Sequence, residues 1–105
     1  MPAVKDTFDD LPSHFQPDRA AETRAVVQYE IGGEGGGTWH AVIRDGTCTV
    51  HEGAAETSNL TVQMDAQDWL DVTAGRKNPG MLFALGKVRF KGDMALAMKL
   101  ASLFV

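Results

Sequence analysis

The chain has 105 residues, of which 44% are hydrophobic and 23% are charged, and its net charge at pH 7 is -4. This length and composition predict one globular domain, residues 1–105. An acidic chain without a clustered basic footprint does not fit a nucleic-acid partner, and no apolar run approaches the ~20 residues that a membrane-spanning helix needs.

The N-terminal region predicts short helices interrupted by prolines. Apolar side chains recur every three or four residues from Val4 to Phe15, which is typical of one helical face. Because Pro12 and Pro17 break this pattern, we expect a turn there, followed by a short helix around 18–22.

A change to period two then predicts a half-buried strand over 24–31. The next stretch, GGEGGG at 32–37, holds five of the eleven glycines and predicts a mobile hairpin loop. It does not fit a phosphate-binding loop, because it leads through Thr38 into a strand rather than through Gly-Lys-Ser/Thr into a helix.

Three further strands follow from the same alternation. The second contains Trp39 and ends at Asp45-Gly46, a pair typical of a type I′ hairpin turn, in which both central residues take positive φ. The third covers 47–52, and the fourth covers 60–64.

Two short helices are predicted next. Asp65 is expected to cap the first, with Asp68 at the N3 position of an arrangement like a capping box, and Gly75 to end it. An Asn-Pro pair at 78–79 then predicts the start of the second helix, which Gly86 closes.

The fifth strand is expected to turn Val88 and Phe90 inward and a basic row, Lys87, Arg89 and Lys91, toward water. This row is the one local feature that favours contact with an anionic membrane, against the acidic balance of the whole chain.

The final helix, 94–105, is nearly all apolar, with Lys99 and Ser102 as its polar interruptions. A surface helix usually shows an apolar stripe of about 100°, so this one must be covered on several sides or must itself cover something apolar. Methionine side chains suit irregular or changing apolar contents. We expect the helix to be a lid over an apolar pocket or a dimer contact.

Catalytic and metal-binding chemistry is poorly represented. His40 and His51 lie on strands that can be neighbours, but no cysteine or carboxylate pair stands at zinc-ligand spacing from them, so solvent-facing positions are expected. The single cysteine, Cys48, permits no internal disulfide, fits a reducing compartment and is expected to be a small buried apolar residue. A hydrolase built on either histidine lacks a partnered nucleophile.

The two ends of the chain give a prediction of location. Charged residues, among them Lys5 and Asp6, stand where a signal peptide would be apolar, and the chain ends in Ser-Leu-Phe-Val rather than a peroxisomal address. We therefore expect a cytoplasmic protein.

Two long stretches resemble a known family. LPSHFQPDRAAETRAVVQYEIGGEGGGTWHAVIRDGTCTVHEG is similar to the first half of small prokaryote-type members of the sterol carrier protein 2 family. The helix ending at Gly75, the Asn-Pro pair at 78–79 and GKVRFKGDMALAMKLASLF resemble the second half more specifically. The resemblance extends from about Phe8 to Phe104.

The resemblance implies a two-layer α+β fold in the order α-β-β-β-crossover-β-α-α-β-α. One mainly antiparallel, five-stranded sheet and the helices packed on it would enclose an apolar tunnel. It further implies non-catalytic binding and transfer of a sterol, fatty acid, acyl-CoA or phospholipid. Because the chain looks like the short branch of the family, a linear acyl chain is the better expectation.

The family offers no catalytic residue to carry over, and no cofactor or metal is expected. Site residues are therefore cavity candidates chosen by position, and each can instead belong to the core. The candidates are Phe8, Leu11, Trp39, Trp69, Leu70, Val72, Met81, Leu82, Leu85, Phe90, Met94, Met98, Leu103 and Phe104. The alternative function is an accessory or dimerisation module beside an enzyme of lipid or quinone metabolism, with the apolar helix as interface. Transient membrane contact and a homodimer are both compatible with the sequence.

Overall fold

The structure, a computed structural model, describes residues 3–19 and 23–103. Its helices are α1 (Val4–Asp10), α2 (Ala66–Thr73), α3 (Pro79–Ala84) and α4 (Met94–Leu103), with 3-10 turns at Leu11–His14 and Pro17–Arg19. Its strands are β1 (Ala25–Gly32), β2 (Gly37–Arg44), β3 (Thr47–Glu52), β4 (Leu60–Asp65) and β5 (Val88–Gly92). The predicted order of elements is confirmed. Of the short helix predicted around 18–22, the structure shows the 3-10 turn, and residues 20–22 lie outside the described part.

The five strands form one sheet in the order β3-β2-β1-β4-β5. Three neighbouring pairs are antiparallel, and the central pair, β1 with β4, is parallel. This parallel pair requires the crossover that the family resemblance implies. The hairpin between β2 and β3 turns as predicted, because Asp45 and Gly46 take φ values of +53° and +71°.

The two faces of the sheet differ in chemistry. One face supplies buried apolar side chains from β1, β2, β4 and β5, and the helices pack theirs against it in a single core. The other face is half-exposed and polar, and the amides of Gln28 and Gln63 both donate to the carboxylate of Glu30, at 2.8 and 2.7 Å. The fold is therefore a two-layer α+β structure, as predicted. Within the described residues, no helix is long and apolar enough to span a membrane.

Side-chain caps set where α2 and α3 begin. A carboxylate oxygen of Asp65 accepts the backbone N–H of Gln67 at 3.0 Å, and the Asn78 amide oxygen accepts that of Gly80 at 2.7 Å. Both predicted N-caps are confirmed. Asp68, predicted as a partner in the first cap, instead forms an ion pair with Lys77 at 2.9 Å.

A charged cluster ties the link between α2 and α3 back to α2. The Asp71 carboxylate is buried and receives a guanidinium N–H of Arg76 at 2.9 Å and the ammonium of Lys77 at 3.1 Å. The amide of Gln67 donates to it as well, at 3.2 Å. Since the link leads into α3, this cluster fixes the position from which α3 starts.

The Asp71 cluster makes stability depend on pH in a defined direction. Hydrogen bonds from Arg76, then from Lys77, lower the pKa of the Asp71 carboxyl. A lowered folded-state pKa gives stability that is present above the unfolded value of about 3.9 and is lost as pH falls through the folded-state value. We expect Asp71→Asn to lower the melting temperature at pH 7, with the difference from the parent protein shrinking below about pH 4.

The matched control for Asp71→Asn is Asp45→Asn. Asp45 pairs with Arg24 on the surface, where both side chains are mostly exposed, and asparagine suits the same turn. We expect little change in the control at either pH. A loss in Asp71→Asn that is constant from pH 7 to pH 3 would contradict a role for the charge.

Candidate functional site

An aromatic stack occupies the interior where α1 and α2 meet the middle of the sheet. The ring of Phe8 lies between Trp39 and Trp69, with centroids 4.5 and 4.6 Å away and planes within 11° and 4°. Tyr29 tilts against both Phe8 and Trp69 at 5.2 and 5.3 Å. The indole N–H of Trp69 donates to the Thr7 hydroxyl at 2.7 Å, so its one polar group is satisfied.

Six of the candidate cavity residues lie in or next to this stack. Phe8, Leu11, Trp39 and Trp69 are buried, and Leu70 and Val72 on α2 are partly buried against the same core. Their aromatic members contact one another, so this end of the interior is filled by the protein's own side chains.

At the other end of the helical layer, around α3 and α4, more apolar surface is exposed. Leu82 of α3 is buried, Phe90 of β5 is partly buried, and the rings of Phe83 and Phe90 lie 5.4 Å apart. Leu96 turns the inner face of α4 to the core. Helices α3 and α4 each pack against β5, and we call this region of the helical layer the α3–α4 junction.

Large apolar side chains remain exposed around the α3–α4 junction. They are Met81, Phe83 and Leu85 on α3 and its C-terminal cap, with Met94 and Met98 on α4. Residues four apart share one side of a helix, so the two methionines of α4 form one outer ridge, and Met81 with Leu85 forms another. The last two candidates are not placed: the Leu103 side chain and all of Phe104 lie outside the described residues.

The surface of the described residues includes two open depressions. One, of about 300 Å³, lies where β1, β2 and β4 meet and is lined by polar and apolar groups, including Glu30, Gln63 and Met64. The other, of about 310 Å³, lies beside α4 and includes Asn59 and Leu96. Neither is an enclosed apolar tunnel between sheet and helices, and that tunnel stays a prediction.

The two histidines of the sheet and the single cysteine occupy structural positions. His40 and His51 are cross-strand partners with ring centroids 5.2 Å apart, and Nδ1 of His40 donates to the Gly53 carbonyl at 2.8 Å. Burial raises the pKa of the Cys48 thiol to about 11, which keeps it protonated and unreactive. Among the described residues, no group of three His, Cys, Asp or Glu side chains could hold a metal.

The sequence profile of the SCP-2 sterol transfer family matches residues 8–105. The chain belongs to this family. Hydroxysteroid dehydrogenase-like protein 2 of Bos taurus is 33% identical to it over 102 residues, which cover 96% of this chain and 24% of the relative. The chain therefore spans about a quarter of the length of the curated relatives it matches.

Solved structures agree with this assignment at the level of fold. The palmitated SCP2L2 protein of Aedes aegypti superposes with a TM-score of 0.83 at 22% identity, covering 96% of this chain and 93% of that one. The sterol carrier protein domain 2 of Helicoverpa armigera superposes with a TM-score of 0.77 at 25% identity, covering 95% and 84%.

Two residues of the α3–α4 junction were not among the candidates predicted from the sequence. Phe83 contacts Phe90, and Leu96 is the buried anchor of α4. The sequence did indicate Leu96, because Leu96, Ala97 and Leu100 stand at positions i, i+1 and i+4, a spacing typical of the inner face of a helix. Phe83 carried no such signal, because the dense apolar run of α3 gives no single preferred face.

Proposed function

We propose that this sterol transfer domain binds one lipid, with its acyl chain at the α3–α4 junction, and carries it without catalysis. The observation that supports this most is the concentration of exposed apolar side chains there, around the contact between Phe83 and Phe90. Monomeric domains rarely expose a contiguous apolar patch without a binding role. In a family defined by sterol transfer, a lipid is the occupant that such a patch fits.

The ligand class that the side chains favour is a linear acyl chain. Met81, Met94 and Met98 are unbranched and flexible, so they adapt to a chain of variable length and shape better than a rigid wall would. Helix α3 has six residues and buries one large side chain, Leu82, so it can shift with little loss of core contact.

The candidate residues divide into four roles in this proposal. Leu82, Phe90 and the inner side of α4 form the wall of the site, and the outer residues of α3 and α4 form its entrance. The aromatic stack around Phe8 closes the far end. Leu103 and Phe104 stay candidates for a lid at the end of α4.

The test is native mass spectrometry of freshly purified protein, followed by titration of delipidated protein with a fluorescent fatty acid. We expect one lipid per chain. Phe83→Ser should weaken probe binding about tenfold, because covering one large apolar side chain is worth roughly 1.5–3 kcal/mol. Val42→Ser, on the polar face of the sheet, is the matched control and should bind like the parent. Protein that carries no lipid in any preparation and does not bind the probe would contradict the carrier proposal.

A second candidate is an accessory or dimerisation module of a longer enzyme system. It is favoured by the relatives in which the matching domain makes up about a quarter of a protein named as dehydrogenase-like. A lipid-free dimer that is stable at low concentration would support the module over the carrier. The single free cysteine of this chain, Cys48, fits a cytoplasmic setting for either role.

A further inference from the structure

Two histidines face each other across the hairpin formed by β2 and β3. His40 and His51 are cross-strand partners, and their ring centroids lie 5.2 Å apart with planes inclined by 26°. Directly opposed side chains on neighbouring strands project from the same face of a sheet. For this pair it is the polar face, since His40 is also the register partner of Gln28 on β1. The two imidazoles therefore stand side by side on the side of the sheet away from the helical layer.

A hydrogen bond of His40 fixes which of its ring nitrogens is available to a ligand. Nδ1 of His40 lies 2.8 Å from the carbonyl oxygen of Gly53, and a carbonyl oxygen only accepts, so Nδ1 carries the proton. In the neutral ring the lone pair is then on Nε2. Metal-ligating histidines almost always make such a second bond, because it fixes the tautomer and the orientation of the ring. His40 is thus already held in the state that a metal ligand requires.

The spacing of the two rings matches that of two ligands on one metal ion. Imidazoles that bind one ion at about 2.0–2.1 Å with a tetrahedral angle between them have ring centroids about 5 Å apart. The rings of His40 and His51 are at 5.2 Å. His51 is exposed, so its ring can turn toward an ion held on Nε2 of His40 without disturbing the core.

The charge of the surroundings also favours a cation. Residues 1–75 contain thirteen Asp or Glu and four Lys or Arg, which gives this part of the chain a formal charge of -9. Glu30 lies on the same face of the sheet, diagonal to His40 in the register of β1 with β2. Hydrogen bonds from the amides of Gln63, then of Gln28, lower the pKa of the Glu30 carboxyl, so it is ionised at neutral pH. At a diagonal position it attracts a cation without ligating it.

We propose that His40 and His51 form a two-histidine site for a divalent transition-metal ion, with water at the remaining coordination positions. Zinc sites of the structural and catalytic kinds use three or four protein ligands, and the described residues supply no such group, so this site binds its ion exchangeably. Cu²⁺ should bind most tightly, because imidazole suits it and it heads the affinity order of the first-row divalent metals. The bound ion links β2 to β3, an edge strand of the sheet.

The experiment is titration of the whole chain with Cu²⁺ by calorimetry, with glycine present as a competing chelator. We expect one bound ion per chain, with two nitrogen ligands in its electron paramagnetic resonance spectrum. His40→Gln and His51→Gln should each lower the affinity at least tenfold, since even the loss of an outer-shell partner of a ligand costs about 10–100-fold. The double variant should lose little more than either single variant, because the first change already breaks the chelate.

The matched control is His14→Gln, at the third histidine of the chain. His14 is exposed, with Nε2 2.9 Å from a carboxylate oxygen of Asp10, and its replacement should leave Cu²⁺ affinity at the parental value. His51→Gln, also at an exposed position, should keep the parental melting temperature without metal, so that its loss of affinity reports the missing ligand. Equal losses in all three variants, additive losses at positions 40 and 51, or binding that His51→Gln leaves intact would each indicate an adventitious ion only and overturn the site. A parent protein that binds no Cu²⁺ would overturn it as well.

Discussion

Replacing Phe8 with alanine is expected to remove a large part of the stability of this domain. The Phe8 side chain is fully buried and is stacked on both sides, by Trp39 and by Trp69. Truncating a buried phenylalanine to alanine costs about 3–5 kcal/mol, and a whole domain is stabilised by only about 5–15 kcal/mol. Urea and thermal unfolding, followed by tryptophan fluorescence and far-UV circular dichroism, measure the loss.

The control for Phe8→Ala is the same chemical change at a half-exposed position, Phe83→Ala. Phe83 has one aromatic neighbour, Phe90, and half of its surface already meets water. We expect a loss of less than half that of Phe8→Ala. Equal, small losses at both positions would show that the stack tolerates an empty space beside Trp39 and Trp69, and would favour Phe8 as a wall of the lipid cavity.

Local patterns in the sequence were sufficient to predict the elements of the fold. Period-two alternation located all five strands, because one face of the sheet is buried and the other is polar. Turn and cap chemistry located boundaries: the Asp45-Gly46 turn and the caps at Asp65 and Asn78 depend on neighbouring residues only. Pairing β1 with β4 in parallel depends on contacts between distant segments, and the family resemblance implied only the crossover that this pairing requires.

Interactions between distant residues explain what the sequence did not predict. The stack joins Phe8, Trp39 and Trp69 from α1, β2 and α2, and no local spacing relates these three positions. The Asp71 ion pairs were not predicted either, because they depend on the link after α2 turning back to bring Arg76 and Lys77 to that helix. In both cases the side chains were recognisable as apolar or charged, and only the fold determines which partner each one meets.

The sequence predicted that α3 and α4 carry a surplus of apolar side chains, but it did not predict which of them are buried. The runs of α3 and α4 contain more apolar residues than one packing face can use, which pointed to a cavity beneath them. The structure buries Leu82 and Leu96 and leaves Met81, Leu85 and Met98 largely in water. Which side chains are buried depends on the orientation of each helix, and that orientation is set by how the helix is attached to the sheet.

Gly92 is the last residue of β5, just before α4 begins. Replacing Gly92 with alanine is expected to cause the second large loss of stability. Gly92 has a φ of +114°, and an added Cβ would lie 2.4 Å from the backbone oxygen of Asn59. That same oxygen accepts the N–H of Asp93 at 2.9 Å, and the Asp93 carboxylate in turn accepts the N–H of Leu96 at 3.1 Å. Any side chain at 92 therefore pushes the start of α4 away from β4.

We expect Gly92→Ala to destabilise the domain through two separable terms. Positive φ in a non-glycine residue costs about 1–3 kcal/mol, and the forced overlap with Asn59 adds about 1–3 kcal/mol. Gly75→Ala is the matched control, since Gly75 has a φ of +77° with nothing near the position of its Cβ, and so carries the first term alone. The difference between the two variants in urea unfolding measures the contact with Asn59.

The same pair of variants tests whether α4 gates the lipid site. The hydrogen bond from the Asp93 N–H to the Asn59 carbonyl holds the start of α4 in place. If this attachment keeps α4 over the α3–α4 junction, Gly92→Ala should release a fluorescent fatty acid faster than the parent under conditions where both are folded, because changes in affinity appear mainly in dissociation rates. Gly75→Ala, at the end of α2, should release the probe at the parental rate. Stopped-flow transfer of the probe to acceptor vesicles gives both rates. Parental release from a folded, destabilised Gly92→Ala would show that α4 contributes to the core and not to the gate.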